Sequence, residues 1–158
     1  MSKSRRSLDN TDLDILSALY KDARLSNKEL ASQVNLAASS CLERVKRLQL
    51  EGVIERSSLQ VNFTALDGHI QAIVSVSLTN HVRATFDTFQ KELLPLPEVI
   101  SIFHMGGESD FLLHVTVTDT MHLRDFVFNA ITARSDVKHV ETALVYEHQI
   151  STTLPRFD

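Results

Sequence analysis

Residues 26–52, SNKELASQVNLAASSCLERVKRLQLEG, constrain the fold of this chain more than any other stretch. Ser26 followed at the third position by Glu29 is a capping box: the hydroxyl accepts the Glu29 N–H and the carboxylate reaches back to the Ser26 N–H. Leu30, Ala31 and Val34 then give a short helix one apolar stripe. Asn35-Leu36 reads as a turn, because Asn tolerates the left-handed conformation in which a chain leaves a helix. A second helix is expected from about Ala38 to Leu50, with Leu42 and Val45 inward and Cys41 and Leu48 as further inward candidates. Glu43, Arg44, Lys46 and Arg47 lie off that stripe, and Gly52 sits where a left-handed cap closes the helix. Two short helices around a tight turn, the second with a basic face, are the outline of a helix-turn-helix, which carries side chains into the DNA major groove.

The flanks extend this head. Residues 9–23 read as a preceding helix, with Asp9 as its cap and Asp12, Ile15, Leu16 and Leu19 on adjoining positions. Val53-Ile54 reads as the start of an extended segment, so the head is expected to be of the winged type. Charge supports the location. Residues 1–60 hold ten Lys/Arg against eight Asp/Glu, whereas residues 61–158 hold six against twelve, so the net −4 conceals a positive front. A surface for phosphate belongs there, and Lys3, Arg5 and Arg6 are candidates for a backbone-reaching arm.

From Ile70 the period changes. IQAIVSVSL alternates as a strand, with Val74, Val76 and Leu78 on one face and Ile73, Ser75 and Ser77 on the other. Val82, Phe86, Phe89 and Leu93 form one helical stripe that Pro95 and Pro97 end. VISIFHMGG and DFLLHVTVT are two strands around the Gly106-Gly107 turn. Leu123, Phe126, Val127, Ala130 and Ile131 make a second stripe, and VKHVETALVYEHQI is a last strand. The order β-α-β-β-α-β is that of a split, ferredoxin-like sandwich. The fold class is therefore α+β: a winged helix-turn-helix over residues 1–59, a linker over 60–68, and a βαββαβ ferredoxin-like body over 69–158. Two helices cover one sheet face only. Ile73 and Val145 on the other face imply a partner sheet from a second copy.

Other classes find little support. No apolar run approaches a membrane span and the N-terminus lacks a signal-peptide core, so a cytoplasmic protein without a membrane partner is expected. Cys41 is the single cysteine; despite Arg44 nearby it reads as a packing residue without a redox role. The seven histidines show no HxxxH or Cys/His spacing, so no metal and no cofactor are expected. The body has no phosphate-cradling glycine loop before a helix and no nucleophile elbow, which argues against catalytic residues.

Four segments carry a family likeness. LDNTDLDILSAL resembles the opening LDxxDxxIL of the leucine-responsive and asparagine-responsive (Lrp/AsnC, feast/famine) transcription regulators. ARLSNKELASQVNL resembles their second helix, SSCLERVKRLQLEGVI their recognition helix and its exit, and MGGESDFLLHV their glycine-aspartate turn. The chain departs from the family in two places. Ala37-Ala38 stands where Ser-Pro usually begins the recognition helix, which leaves Ser39 or Ser40 as caps, Ser40 pairing with Glu43 as a capping box. Arg56-Ser57 stands where the wing usually has Gly-Tyr. The resemblance implies a regulator that dimerises through its sheets, assembles further into octamers or similar discs, and binds a small effector, usually an amino acid, at contacts between dimers.

Two sets of residues follow. Ser39, Ser40 and Glu43 are assigned to base edges or the groove floor of double-stranded DNA. Arg44 and Arg47 are assigned to guanine or phosphate, and Lys46 to phosphate. By the resemblance, the effector pocket draws on His104, Met105, Gly107 and Asp110, on Thr120, and on Ala143, Leu144 and Val145. There glycines let backbone amides approach a carboxylate, and Asp110 or Glu108 can hold an amino group. The alternatives are a ligand-independent protein that shapes DNA and an enzyme fused to a DNA-binding head. Response to single amino acids, or turnover, separates the three.

Overall fold

Capping chemistry sets the front helices. In a computed structural model, which describes residues 7–157, helix α1 (Asn10–Lys21) is capped by Asp9, whose Oδ1 accepts the Asp12 N–H at 2.8 Å while Asp12 Oδ2 accepts the Asp9 N–H at 3.3 Å. Helix α2 (Asn27–Gln33) has the expected Ser26–Glu29 box. It ends with Asn35 at φ 54° and the Leu36 N–H on the Ala31 carbonyl at 2.9 Å, the closure a left-handed residue allows. Helix α3 (Ala38–Leu50) closes the same way: Gly52 has φ 72° and the Val53 N–H reaches the Leu48 carbonyl at 2.9 Å. The proposed arm of Lys3, Arg5 and Arg6 lies outside the described residues.

Three details differ from the sequence reading. The N-cap of α3 is Ala37 with no side-chain bond, so neither Ser39 nor Ser40 caps it; both lie exposed in its first turn. The Asn27 Nδ2 instead donates to the Ala38 carbonyl at 2.7 Å, tying the two helix starts together. Inward positions are Cys41 and Leu48, seven apart, which pack with Ile15, Leu30 and Ala31, while Leu42 is 41% exposed. No strand follows α3 among the described residues of this region. The Val53 and Ile54 N–H groups both go to the Leu48 carbonyl, at 2.9 and 3.1 Å, and are spent on ending the helix.

The body starts with a single turn of 3-10 helix (Phe63–Leu66) inside the expected linker. Strand β1 (Ile70–Leu78), helix α4 (Arg83–Leu93), strands β2 (Val99–His104) and β3 (Phe111–Val117), helix α5 (Thr120–Phe126) and strand β4 (Val137–Val145) follow in the expected order. Helix α5 widens into a π-turn over Val127–Thr132, with the Ala133 N–H reaching the Phe128 carbonyl at 2.9 Å. The sheet order is β2-β3-β1-β4, antiparallel throughout. Alternation buries Ala72, Val74, Val76 and Leu78 with Phe111, Leu113, Val115 and Val117 beneath Phe89, Leu93, Leu123, Phe126 and Ile131. Val82, placed in the α4 stripe by its spacing, is the N-cap and half exposed.

The opposite sheet face carries no helix. Its rows are Phe103–Leu112–Ser75–Glu141, Ser101–His114–Ile73–Ala143 and Thr116–Gln71–Val145. The chain groups into two compact units, Met1–Leu59 with Gln149–Asp158, and Gln60–His148. Residues 149–157 group with the first unit by their contacts. There the Arg156 Nη2 donates to Ser17 Oγ at 2.8 Å and to Leu13 O and Asp14 Oδ1 at 3.3 Å.

Candidate functional site

Helix α3 presents Ser39, Ser40, Glu43 and Lys46 to solvent. Ala38, Leu42, Gln49 and Leu50 are exposed on the same helix and were not in the residue set expected from sequence. Hydroxyls and a carboxylate in the first two turns, with an ammonium beyond them, are groups that read base edges and hold phosphate.

Arg44 and Arg47 are turned elsewhere. The Arg44 Nη1 donates to Asp9 Oδ1 at 2.9 Å, Asp9 Oδ2 at 2.7 Å and Asp12 Oδ1 at 2.8 Å. The Arg47 Nη2 donates to the same Asp12 Oδ1 at 2.6 Å, and its Nε lies 3.9 Å from Glu51 Oε1. Asp12 is 2% exposed. The Arg44 guanidinium beside Asp9 holds that carboxyl below its usual range, and the carboxylates raise Arg44. These arginines, expected at bases or phosphate, are occupied by helix α1. A signal for this was present: Asp9 and Asp12 stand three apart on one helix, Arg44 and Arg47 three apart on another, so both pairs line single faces.

The expected effector residues fall into two groups. His104, Met105, Gly107 and Asp110 lie where β1 ends, since His104 pairs with Phe111 and Phe111 with Val76. Thr120, which opens α5, and Ala143, Leu144 and Val145 lie toward the other end, where Val145 pairs with Gln71. Along β1 that is five residues, roughly 17 Å, and from edge strand β2 to edge strand β4 it is three spacings, roughly 14 Å. One chain does not bring the two groups together.

Each group borders a groove. His104 stacks on Phe86, with centroids 4.8 Å apart, in a groove of about 440 Å³ that also involves His81, Arg83, Asp87 and Gln90. Thr120 and Thr142 flank an apolar groove of about 370 Å³ with Leu123, Arg124, Val127, Phe128 and Thr132. One oxygen of Asp110 is already engaged within the chain: Oδ2 accepts the Leu78 N–H at 2.7 Å and the His81 Nε2–H at 3.1 Å. Neither turn glycine is forced by the backbone. A Cβ at Gly106 or Gly107 would meet nothing within 4 Å, and neither has positive φ.

His104 and His114 sit on paired strands but on opposite faces. His104 lies among Phe86 and Phe111. His114 is buried on the helix-free face, where its Nε2–H donates to Gln71 Oε1 at 2.8 Å and its ring meets His148 edge-on at 4.8 Å. Burial, then His148, holds the His114 imidazole below its ordinary value. Burial pushes the Cys41 thiol up, the opposite of activation by Arg44. Among the described residues no three His, Cys, Asp or Glu side chains converge as a metal site, and no helix is long and apolar enough to cross a membrane.

Known proteins share this arrangement. Residues 8–55 match the family model for a winged helix-turn-helix DNA-binding domain, and residues 71–155 match that for the Lrp/AsnC ligand binding domain. The HTH-type transcriptional regulator AldR of Mycolicibacterium smegmatis is 40% identical over 143 residues, covering 90% of this chain and 84% of that protein. The leucine-responsive regulatory protein of Escherichia coli (strain K12) is 32% identical over 148 residues, covering 92% and 90%. A Neisseria meningitidis transcriptional regulator, solved as its L-Met complex, superposes with a TM-score of 0.86 at 30% identity, covering 94% of this chain and 97% of that one.

Proposed function

Because the chain belongs to the Lrp/AsnC family of DNA-binding transcription regulators with a ligand-binding domain, we propose that α3 meets duplex DNA while the body joins copies and binds an amino acid between them. Ser39, Ser40 and Glu43 face the groove and Lys46 a phosphate, which their common exposure supports. Copies join through the helix-free sheet face, where Phe103 is 53% exposed beside Leu112 and Ile73. Such dimers then assemble into an octamer or a similar closed disc.

The observation that carries the effector reading is the separation of its two residue groups. The turn His104, Met105, Gly107 and Asp110 of one copy meets Thr120 and Ala143, Leu144 and Val145 of another, so that ligand and assembly are linked. The open space at Gly106 and Gly107 supports close approach by a ligand or a second chain. The ligand class is a free amino acid, as in the L-Met complex of the Neisseria protein.

The test is a thermal-shift screen of the twenty amino acids, followed by particle size and DNA affinity with each hit. A ligand that binds only the folded form raises its melting temperature. The proposal expects at least one amino acid to raise it and to change both size and affinity. DNA binding with no response to any of them points to a ligand-independent architectural protein instead.

A further inference from the structure

We propose that Arg44 and Arg47 are positioning residues for DNA recognition, fixing through Asp12 how α3 is rolled against α1 while other side chains touch the DNA. This rests on the reading of α3 as the DNA-facing helix. Cys41 and Leu48 seat α3 by apolar contact, which is non-directional, and the Asn27–Ala38 bond pins only its first residue. A helix seated that way can roll about its axis. Side-chain tips lie roughly 6 Å from that axis, so a roll of about 20° displaces them by about 2 Å, well beyond the tolerance of a hydrogen bond.

Directional bonds remove that freedom. Asp12 Oδ1 accepts from Arg44 at 2.8 Å and from Arg47 at 2.6 Å, one helical turn apart on α3. Asp12 Oδ2 is taken by the Asp9 N–H at 3.3 Å, and Asp9 supplies Arg44 with two further acceptors. Two carboxylates facing two guanidiniums cancel in charge, so the arginines add little to the potential at a phosphate. Withdrawing either one toward DNA would strip a partner from a carboxylate that is 2% exposed. Lys46 is the α3 cation outside this network.

Asp12 makes the idea testable, because a buried carboxylate cannot itself contact DNA. The experiment compares Asp12→Asn, Arg47→Gln and the double variant with the wild-type protein. Each binds a 30-bp duplex that the wild type selects from a random pool, and an unselected duplex, over a range of salt. Positioning predicts that each single variant loses about tenfold on the selected duplex, the size of one lost base contact. The double variant, which keeps the charge balance, should lose no more on the selected duplex than either single one, with binding to the unselected duplex and the salt slope unchanged. Lys46→Ala, the phosphate control, should lower the slope by about one.

Arg47→Lys keeps the charge but not the planar fork, and covers the case in which a charge-removing variant fails to fold. It should lose affinity if the residue positions α3 and keep it if the residue holds a phosphate. Wild-type affinity in Asp12→Asn with a reduced slope in Arg47→Gln overturns the proposal while leaving DNA recognition intact. A wild type that selects no duplex overturns both.

Discussion

Asp110 ties the β2–β3 turn to the end of strand β1 through its side chain and its backbone. Strand β1 shifts register against β4 between Ser77 and Leu78, and there the Leu78 N–H goes to Asp110 Oδ2 at 2.7 Å. Leu78 is 1% exposed. Asp110 also donates its own N–H to the Val76 carbonyl and accepts the Met105 N–H on its own carbonyl, at 2.9 and 2.8 Å, closing the β2–β3 turn. Asp110→Ala removes a charged acceptor and leaves a buried N–H without it, a cost of about 2 kcal/mol. For a unit of this size the corresponding fall in melting temperature is about 10 °C. Asp110→Asn keeps a neutral oxygen in place and should cost about half as much. Urea and thermal unfolding of the full chain, followed by near-ultraviolet dichroism, would measure both. Asp110→Ala melting within a degree or two of the wild type would refute the internal role and return the carboxylate to the ligand. With the role upheld, loss of effector response in Asp110→Ala would reflect a loosened turn, and Asp110→Asn is the variant that separates the two.

Two further outcomes follow from the helix-free sheet face. His114 has its folded pKa below the ordinary 6.5, from burial first and His148 second. Above 6.5 both folded and unfolded forms are neutral and stability is full; as pH falls through 6.5 the unfolded imidazole takes a proton that the folded one resists. Stability should therefore decline from pH 6.5 toward the folded pKa, by at most about 1.4 kcal/mol per pH unit, and His114→Gln should flatten that part of the curve measured by urea unfolding from pH 8 to 5. Ile73 lies opposite the helix-covered core, between His114 and Ala143. Ile73→Asp should leave the fold intact but place an unpaired carboxylate in the proposed sheet-to-sheet contact, giving monomers in sedimentation velocity; an unchanged assembly would move the contact elsewhere.

What the sequence made legible is what local chemistry decides. The Asp9 and Ser26 caps, the Asn35 and Gly52 exits and the two-residue alternation of β1 each depend on neighbours a few positions away. The strand expected after α3 failed because the same Gly52 closure that ends the helix also captures the two following N–H groups. The ion pairing of Arg44 and Arg47 was hidden because their partners lie 35 and 32 positions away for Arg44 and 35 for Arg47. A basic face read alone looks like a phosphate contact, and only the matched spacing with Asp9 and Asp12 hints otherwise. The division of the effector residues was within reach. In an antiparallel order β2-β3-β1-β4, strands β2 and β4 run in opposite directions, so their C-terminal ends lie at opposite ends of the sheet.

Neutralised arginines bear on how an acidic chain regulates through DNA. With Arg44 and Arg47 balanced by Asp9 and Asp12, α3 offers a duplex one uncompensated cation, Lys46. A recognition helix that neutralises so few phosphates releases few counterions and by itself contributes little affinity at physiological salt. Two heads held by one assembly engage the second half-site at an effective concentration in the millimolar range, which multiplies affinity without any new contact. In the proposed arrangement the effector sits between copies, so it alters the spacing or number of heads and leaves each α3 surface as it was. Affinity for a single half-site should then be indifferent to the amino acid, and only duplexes carrying two half-sites should respond to it. An effector that changed half-site binding would mean that its signal passes through the head itself.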